Sequence, residues 1–331
     1  MQLVTFKPQT DNSRIGLSDK NKIADLRAVF ETMLFDASGN AKRAKAEAEE
    51  HIPDSLLELI QKEDEGIRCI RETIEFLNRT AQERESDSGH PLNQKEIFYD
   101  KTDVKILKPF EVFRALNVGA NYNAYLAMMD IIEPYEGTSE TFWKLPQTVI
   151  GPDENIIWPV SSKQVSCEME LGVIIGKKVK RVSKKDAFDC IFGYTVVNDT
   201  TAIDLLKRGL GKGREGLPGF YYLCLAKSFD TFEAIGPGIT LPDSIPDPQD
   251  LNGELWVNGE LKVKGNTSDM RLKIAEMIEY ISQDITLYPG DLIATGAMAS
   301  EEFAPQVQVQ IGDTVEMTFD RIGTLRNTIS A

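Results

Sequence analysis

A chain of 331 residues with 41% hydrophobic and 27% charged content is long enough for one large domain with its own core and a smaller one besides. Its formal net charge of -15, from 52 acidic against 37 basic side chains, argues against nucleic acid as a partner, because phosphate binding needs clustered Lys and Arg. No apolar run approaches the roughly 18 residues a membrane span requires, and the N-terminus has no basic segment leading into an apolar one. The expectation is a cytoplasmic protein with neither signal peptide nor membrane partner.

In chain order, residues 1–103 read as an N-terminal α/β accessory domain. LVTF at 3–6 and RIGL at 14–17 predict short strands, and Ile23, Leu26, Val29, Phe30, Met33 and Leu34 predict a helix over 22–35. Pro53, Asp54 and Ser55 signal another helix start, followed by an amphipathic stripe through Ile67, Ile70, Ile74 and Leu77. The mixed-charge run 41–50 predicts a solvated helix face. The polar stretch 82–94, with Gly89 and Pro91, predicts a linker.

From Val104 the texture changes to short apolar runs broken by Gly, Pro, Asn and Asp, which predicts a strand-rich domain over 104–331. Strands are expected at 104–107, 115–118, 165–175, 192–197, 222–227, 255–257, 292–295 and 315–319. Helices are expected at 124–132 and 268–281.

The four cysteines show no CxxC spacing and read as reduced core thiols. Both histidines, His51 and His90, precede residue 104, which excludes a Ser-His-Asp triad or a His-ligated zinc or iron site built within the larger domain. Chemistry there must run on carboxylates, Lys, Tyr, Thr and a hard metal. Glu168 and Glu170 stand two apart in the apolar run CEMELGVII, where a strand would aim both carboxylates at one face. Paired carboxylates in such a stretch need a compensating cation, and Asp199, ending the run GYTVVND, is a candidate third oxygen ligand. An edge strand with one solvated face is the alternative, and spacing alone leaves both open. GKGREG at 211–216 fits the GxGxxG pattern, but a helix-like run precedes it and Leu217, Pro218 and Gly219 follow, so a glycine-rich loop over a site is the better reading than a dinucleotide fingerprint.

Six blocks in order carry a resemblance: EMEL at 168–171, GYTVVND at 193–199, KSFDTF at 227–232 with IGP at 235–237, VNGE at 257–260, PGDLIATG at 289–296 and IGTLRN at 322–327. Together they resemble the fumarylacetoacetate hydrolase family over about residues 107–330. The resemblance implies an α+β, mainly β fold, a mixed β-sandwich roll that is usually dimeric. It implies a Mg2+ or Mn2+ ion held by Glu168, Glu170 and Asp199. It further implies Lys227 and Glu170 as catalytic groups, with Asn121, Tyr125, Thr295 and Gly236 facing a small 2-oxo acid or 1,3-dicarbonyl substrate. A dication and an ammonium group would stabilise the enolate that develops beside a carbonyl. Lys227 paired with Asp230 is the structural alternative.

The chain departs from the family pattern in the segment 118–128. Hydrolytic and decarboxylating members carry a His and a nearby Glu there to activate water; the corresponding positions are Tyr125 and Met128. A phenol with a pKa of about 10 and a thioether do not supply a base poised near neutrality. TAID at 201–204 and TGAM at 295–298 also differ from the common pattern. The leading expectation is therefore lyase, dehydratase or isomerase chemistry on a 2-oxo acid, with Glu133 or Glu136 as a possible extra carboxylate. The alternatives are a C–C hydrolase of an acylpyruvate or β-diketone, and a catalytically inactive metal-dependent binding protein. An assembly role for the N-terminal domain is a further expectation.

Overall fold

The computed structural model describes residues 1–9, 12–81, 92, 97–129, 140–210 and 220–331. The linker expected at 82–94, the glycine loop at 211–216, and Glu133 and Glu136 lie largely or wholly outside them. The chain divides into two units, Met1–Phe110 and Glu111–Ala331.

In the first unit, β1 (Gln2–Pro8) buries Leu3, Val4 and Phe6 and pairs antiparallel with β2 (Arg14–Asp19). β2 pairs with β3 (Lys22–Asp25), β3 with β4 (Phe98–Asp100), and β5 (Val104–Leu107) with the other side of β1. Because β5 belongs to this sheet, the unit runs past residue 103. The helix expected at 22–35 is α1 (Leu26–Ser38), and its start is displaced by β3. Asp25 ends that strand and caps the helix, its Oδ1 accepting from Ala28 N at 3.0 Å. In α2 (Ala41–His51) only Ala44 and Ala48 are buried, a mostly solvated helix as its charges predict. α3 (Leu56–Gln61) and α4 (Glu63–Arg79) follow, and the α4 stripe through Cys69, Ile70, Phe76 and Leu77 is buried.

The second unit is mainly β with mixed sheets, as expected. Its first strands are β6 (Ala115–Gly119), then, after α5 (Asn123–Met129), β7 (Glu140–Lys144), β8 (Val149–Ile150) and β9 (Asn155–Ile157). The run 165–175 is two strands, β10 (Val165–Cys167) and β11 (Met169–Ile175), which join different sheets; Glu168 sits at the break. β12 (Ile191–Asp199), β13 (Thr201–Ala202), α6 (Ile203–Leu210) and α7 (Phe220–Lys227) come next. They are followed by β14 (Glu233–Thr240), β15 (Asn252–Val257), β16 (Glu260–Asn266) and α8 (Ile274–Asp284). The last strands are β17 (Leu292–Ala294), β18 (Val307–Val309), β19 (Thr314–Phe319) and β20 (Gly323–Ser330).

The sheet that carries the site runs β14-β12-β11-β17-β6-β7, with β6 and β17 parallel and β8 parallel on β14. Smaller sheets run β13-β10-β18 and β16-β15-β19-β20-β9. Every residue of β11 and β12 is buried, as central strands covered on both faces require. Two expectations are corrected. The run 222–227 is the end of helix α7, not a strand; a short apolar run carries no period that separates the two. The helix expected from residue 268 begins at Ile274, where Lys273 N donates to Glu276 at 2.9 Å and Thr267–Asp269 forms a separate turn. Cys69, Cys167 and Cys190 are buried free thiols, whereas Cys224 is exposed. Among the described residues no helix is long and apolar enough to cross a membrane.

Candidate metal centre

The β11–β12 pairing brings the predicted acids together. Met169 is opposite Asn198, and Asp199 N donates to Glu168 O at 2.9 Å, so Glu168, Glu170 and Asp199 gather at one end of the strand pair. One carboxylate oxygen from each lies within 4.8 Å of the others, and all three residues are at most 5% exposed. The edge-strand alternative for the glutamate pair is therefore excluded by burial.

Lys227, the last residue of α7, reaches into this group. Its Nζ donates to Glu168 Oε2 at 2.7 Å and to Asp199 Oδ2 at 2.6 Å, and it makes these bonds in place of the Asp230 pairing considered from sequence. A helix places it there because Ala226 and Lys227 turn inward while Cys224 and Leu225 face out.

A second buried ammonium escaped sequence reasoning. Lys144, at the end of β7, has its Nζ 2.6 Å from Asp199 Oδ1 and 3.4 Å from Glu233 Oε2, and donates to Phe232 O at 2.6 Å. Glu233 is opposite Asp199 in the β12–β14 ladder, and both its oxygens accept from Asn117 Nδ2 at 3.3 Å. Glu233 did carry a signal: a carboxylate between the apolar Phe232 and Ala234, the same kind of anomaly that singles out Glu168 and Glu170.

The electrostatics follow from burial against charge. Burial drives the Glu168 carboxyl up, opposed by Lys227. Glu170 is pushed well above the usual carboxylate range by burial and by the neighbouring Asp199. For Asp199 burial acts in the same direction, but Lys144 and Lys227 outweigh it and hold the group below its ordinary value. Burial would lower Lys227, yet Asp199 and Glu168 hold its ammonium firmly protonated. Glu233 is raised to about 7, chiefly by burial.

These groups fit a hard divalent cation. Four buried carboxyl groups face two ammonium groups, so with every carboxyl ionised the set carries two negative charges in excess, and it contains no imidazole or thiolate. A dication would close that excess through oxygen ligands alone. Among the described residues Glu170 is the member with no ammonium paired to it, and its Oε2 accepts from the backbone N–H of Gly296 at 2.8 Å.

The remaining predicted residues divide. Thr295 Oγ1 is fully buried with no hydrogen-bond partner among the described residues, an orphan that a bound substrate oxygen would satisfy. Gly296, at φ +103° and with a Cβ position 2.7 Å from the Asn121 Cβ, is the residue type this turn demands. Asn121, expected against substrate, is committed elsewhere: its Nδ2 donates to Thr295 O at 2.8 Å and Leu272 O at 3.1 Å, and its Oδ1 accepts from Leu272 N at 2.9 Å. It positions the Thr295–Gly296 turn. Gly236 also lies away from the acids, within β14 and opposite Val196, where its missing Cβ makes room for Pro152. The motif demanded that glycine for packing. Tyr125 is half-buried on α5, its hydroxyl 3.4 Å from Gln306 Nε2, and Met128 is 39% exposed.

The chain is 34% identical over 316 residues to oxaloacetate tautomerase of Bacillus subtilis, covering 94% of each. It superposes on fumarylacetoacetate hydrolase of Exiguobacterium antarcticum with a TM-score of 0.71 at 26% identity, covering 100% of both chains. Maleylpyruvate hydrolase of Sphingobium sp. SYK-6, solved in complex with manganese(II) and pyruvate, gives a TM-score of 0.68 at 25% identity, over 100% of this chain and 99% of that one. A family model described as fumarylacetoacetate (FAA) hydrolase C-terminal matches residues 114–330. The chain belongs to the fumarylacetoacetate hydrolase family.

Proposed function

We propose that this protein is a divalent-metal-dependent enzyme that interconverts the enol and keto forms of a 2-oxo dicarboxylic acid of the oxaloacetate class. The observation that carries the reading is the buried carboxylate group with a protonated Lys227 bridging Glu168 and Asp199, beside an orphaned Thr295 hydroxyl. The similarity to a tautomerase along nearly the whole chain supports the reaction type. Tautomerisation moves a proton between the C2 oxygen and C3 and consumes no water, so it needs no water-activating base, and Tyr125 and Met128 supply none.

Glu168, Glu170 and Asp199 would hold a Mg2+ or Mn2+ ion, which supplies Lewis acidity toward the oxygen atoms of the bound acid. Lys227 Nζ, held protonated by Glu168 and Asp199, donates toward the charge developing on the C2 oxygen. Thr295 Oγ1 orients the substrate by a hydrogen bond. Gly296 N, by holding Glu170 Oε2, fixes the third carboxylate. The reading includes a homodimer: Trp143, Leu145 and Leu225 are exposed apolar side chains on or next to β7 and α7, two elements that adjoin, and a second copy would cover them.

Hydrolysis of an acylpyruvate is the second reading, favoured by the likeness to maleylpyruvate hydrolase. An assay that follows decay of enol absorbance, paired with product mass, separates the two. Enol-oxaloacetate should be ketonised in the presence of Mg2+ or Mn2+, with no cleavage of acylpyruvates at comparable rates. Efficient acylpyruvate cleavage without tautomerisation would reject the reading.

A further inference from the structure

One residue links helix α5 to the carboxylates. In the β10–β18 ladder Ser166 pairs with Gln308 and Cys167 with Val307. Glu168 follows Cys167 and Gln306 precedes Val307, so in antiparallel strands the two are neighbours one step past the last pair. Opposite residues of such a ladder set their side chains on one face, which puts the Gln306 amide on the face it shares with Glu168. Gln306 is half-buried, and its Nε2 lies 3.4 Å from the Tyr125 hydroxyl oxygen. The amide thus touches α5 on one side and adjoins the carboxylate group on the other.

The two ammonium groups of the site are committed to protein oxygens. Lys227 bridges Glu168 and Asp199, and Lys144 serves Asp199 and the carbonyl of Phe232. A 2-oxo dicarboxylic acid brings one carboxylate beside its keto oxygen and a second, at C4, that needs donors of its own. Gln306 has the chemistry for it. A primary amide carries two N–H donors and one acceptor, and among the described residues this one makes no side-chain hydrogen bond except the contact with Tyr125.

We propose that Gln306 is a specificity-determining residue: its amide donates to the substrate carboxylate remote from the keto group, and Tyr125 holds the amide in place. The inference rests on the tautomerase reading above. A contact that merely steadied α5 against β18 would affect every ligand of the site alike, whereas a donor to the C4 carboxylate affects only ligands that carry one.

The test compares the Mn2+-loaded full chain with Gln306→Met and Tyr125→Phe, measuring kcat and KM for enol-oxaloacetate and the inhibition constant of oxalate. Oxalate reproduces the C1 carboxylate and the C2 oxygen and lacks the C4 group. In Gln306→Met the KM should rise about tenfold or more, the scale of one hydrogen bond to a charged group. Its kcat should stay within about threefold and its oxalate constant within about twofold. Tyr125→Phe, which removes the oxygen that aligns the amide, should raise KM by about threefold with the same indifference to oxalate. An unchanged KM in Gln306→Met would overturn the proposal, and so would a rise in KM matched by an equal rise for oxalate. If Gln306→Met does not fold, Tyr125→Phe decides, and an unmoved ratio of the two constants there overturns it. Wild type that ketonises no enol-oxaloacetate would remove the tautomerase reading itself, an outcome separate from an unmoved ratio.

Discussion

Glu168, Glu170 and Asp199 are at most 5% exposed, with donors fixed on each, whereas helix α5 leaves Met128 39% exposed and Tyr125 half-buried, its hydroxyl 3.4 Å from Gln306 Nε2. The first region is over-determined: two central strands, two lysines and a glycine turn all constrain where the carboxylate oxygens lie. The second presents no group that titrates near neutrality. The difference teaches where this chain keeps its chemistry. The groups that would hold an ion and steady a developing oxyanion lie in the core, whereas the described residues of α5 offer only a phenol and a thioether at the two positions where water activation is expected.

The sharpest way to break that contrast is at Lys227. Lys227→Met should lower kcat by about 10²–10³-fold, the usual cost of removing one donor aimed at a developing oxyanion, and steady-state kinetics on enol-oxaloacetate will show it. A loss under tenfold would move the stabilisation of the developing oxyanion elsewhere. Next comes the turn that the core supports. Asn121→Ala removes an amide that serves the backbone of Leu272 and Thr295, and should destabilise the fold by about 2–3 kcal/mol in urea unfolding, through buried groups left unpaired.

Metal should act through the same core. Mn2+ at about 100 times its Kd should raise unfolding stability by roughly 2.7 kcal/mol, and a chelator should reverse the gain in a thermal melt. Glu233 gives a pH signature in the metal-free protein. Its folded-state value of about 7 lies above the ordinary 4.5, so the folded chain binds more protons in that window, and this group's contribution to stability falls as pH rises from about 4.5 to 7. Glu233→Gln should flatten that part of the stability profile. The smallest effect belongs to α5: Tyr125→Phe should change kcat by no more than about threefold, since a phenol far from its pKa near neutrality is a poor proton carrier.

Much of the candidate site was legible in the sequence, because a carboxylate in an apolar run is an anomaly that needs a cation. Glu168, Glu170 and Asp199 announced themselves in this way, and Lys227 entered with the family blocks. Lys144 did not, because a single lysine in TFWKLP looks like any strand-end cation until β7 and β12 are placed in one sheet. Asn121 and Gly236 were assigned to substrate because a motif marks a residue as required without saying for what; the structure gives Asn121 three hydrogen bonds to backbone groups and sets Gly236 close to Pro152. The fold was legible in class but not in detail. The run 165–175 has no Gly, Pro, Asn or Asp beside Glu168 to betray its passage between sheets there, and the apolar end of α7 has no period to distinguish helix from strand.

The central claim is that the three buried carboxylates hold a dication on which 2-oxo acid chemistry depends. The most direct test is the enol-oxaloacetate ketonisation rate as a function of Mn2+ concentration, for wild type and Glu170→Gln. Saturable activation in wild type and its loss in the variant are the expected results. A rate in Glu170→Gln that matches wild type and is indifferent to chelator would contradict the account.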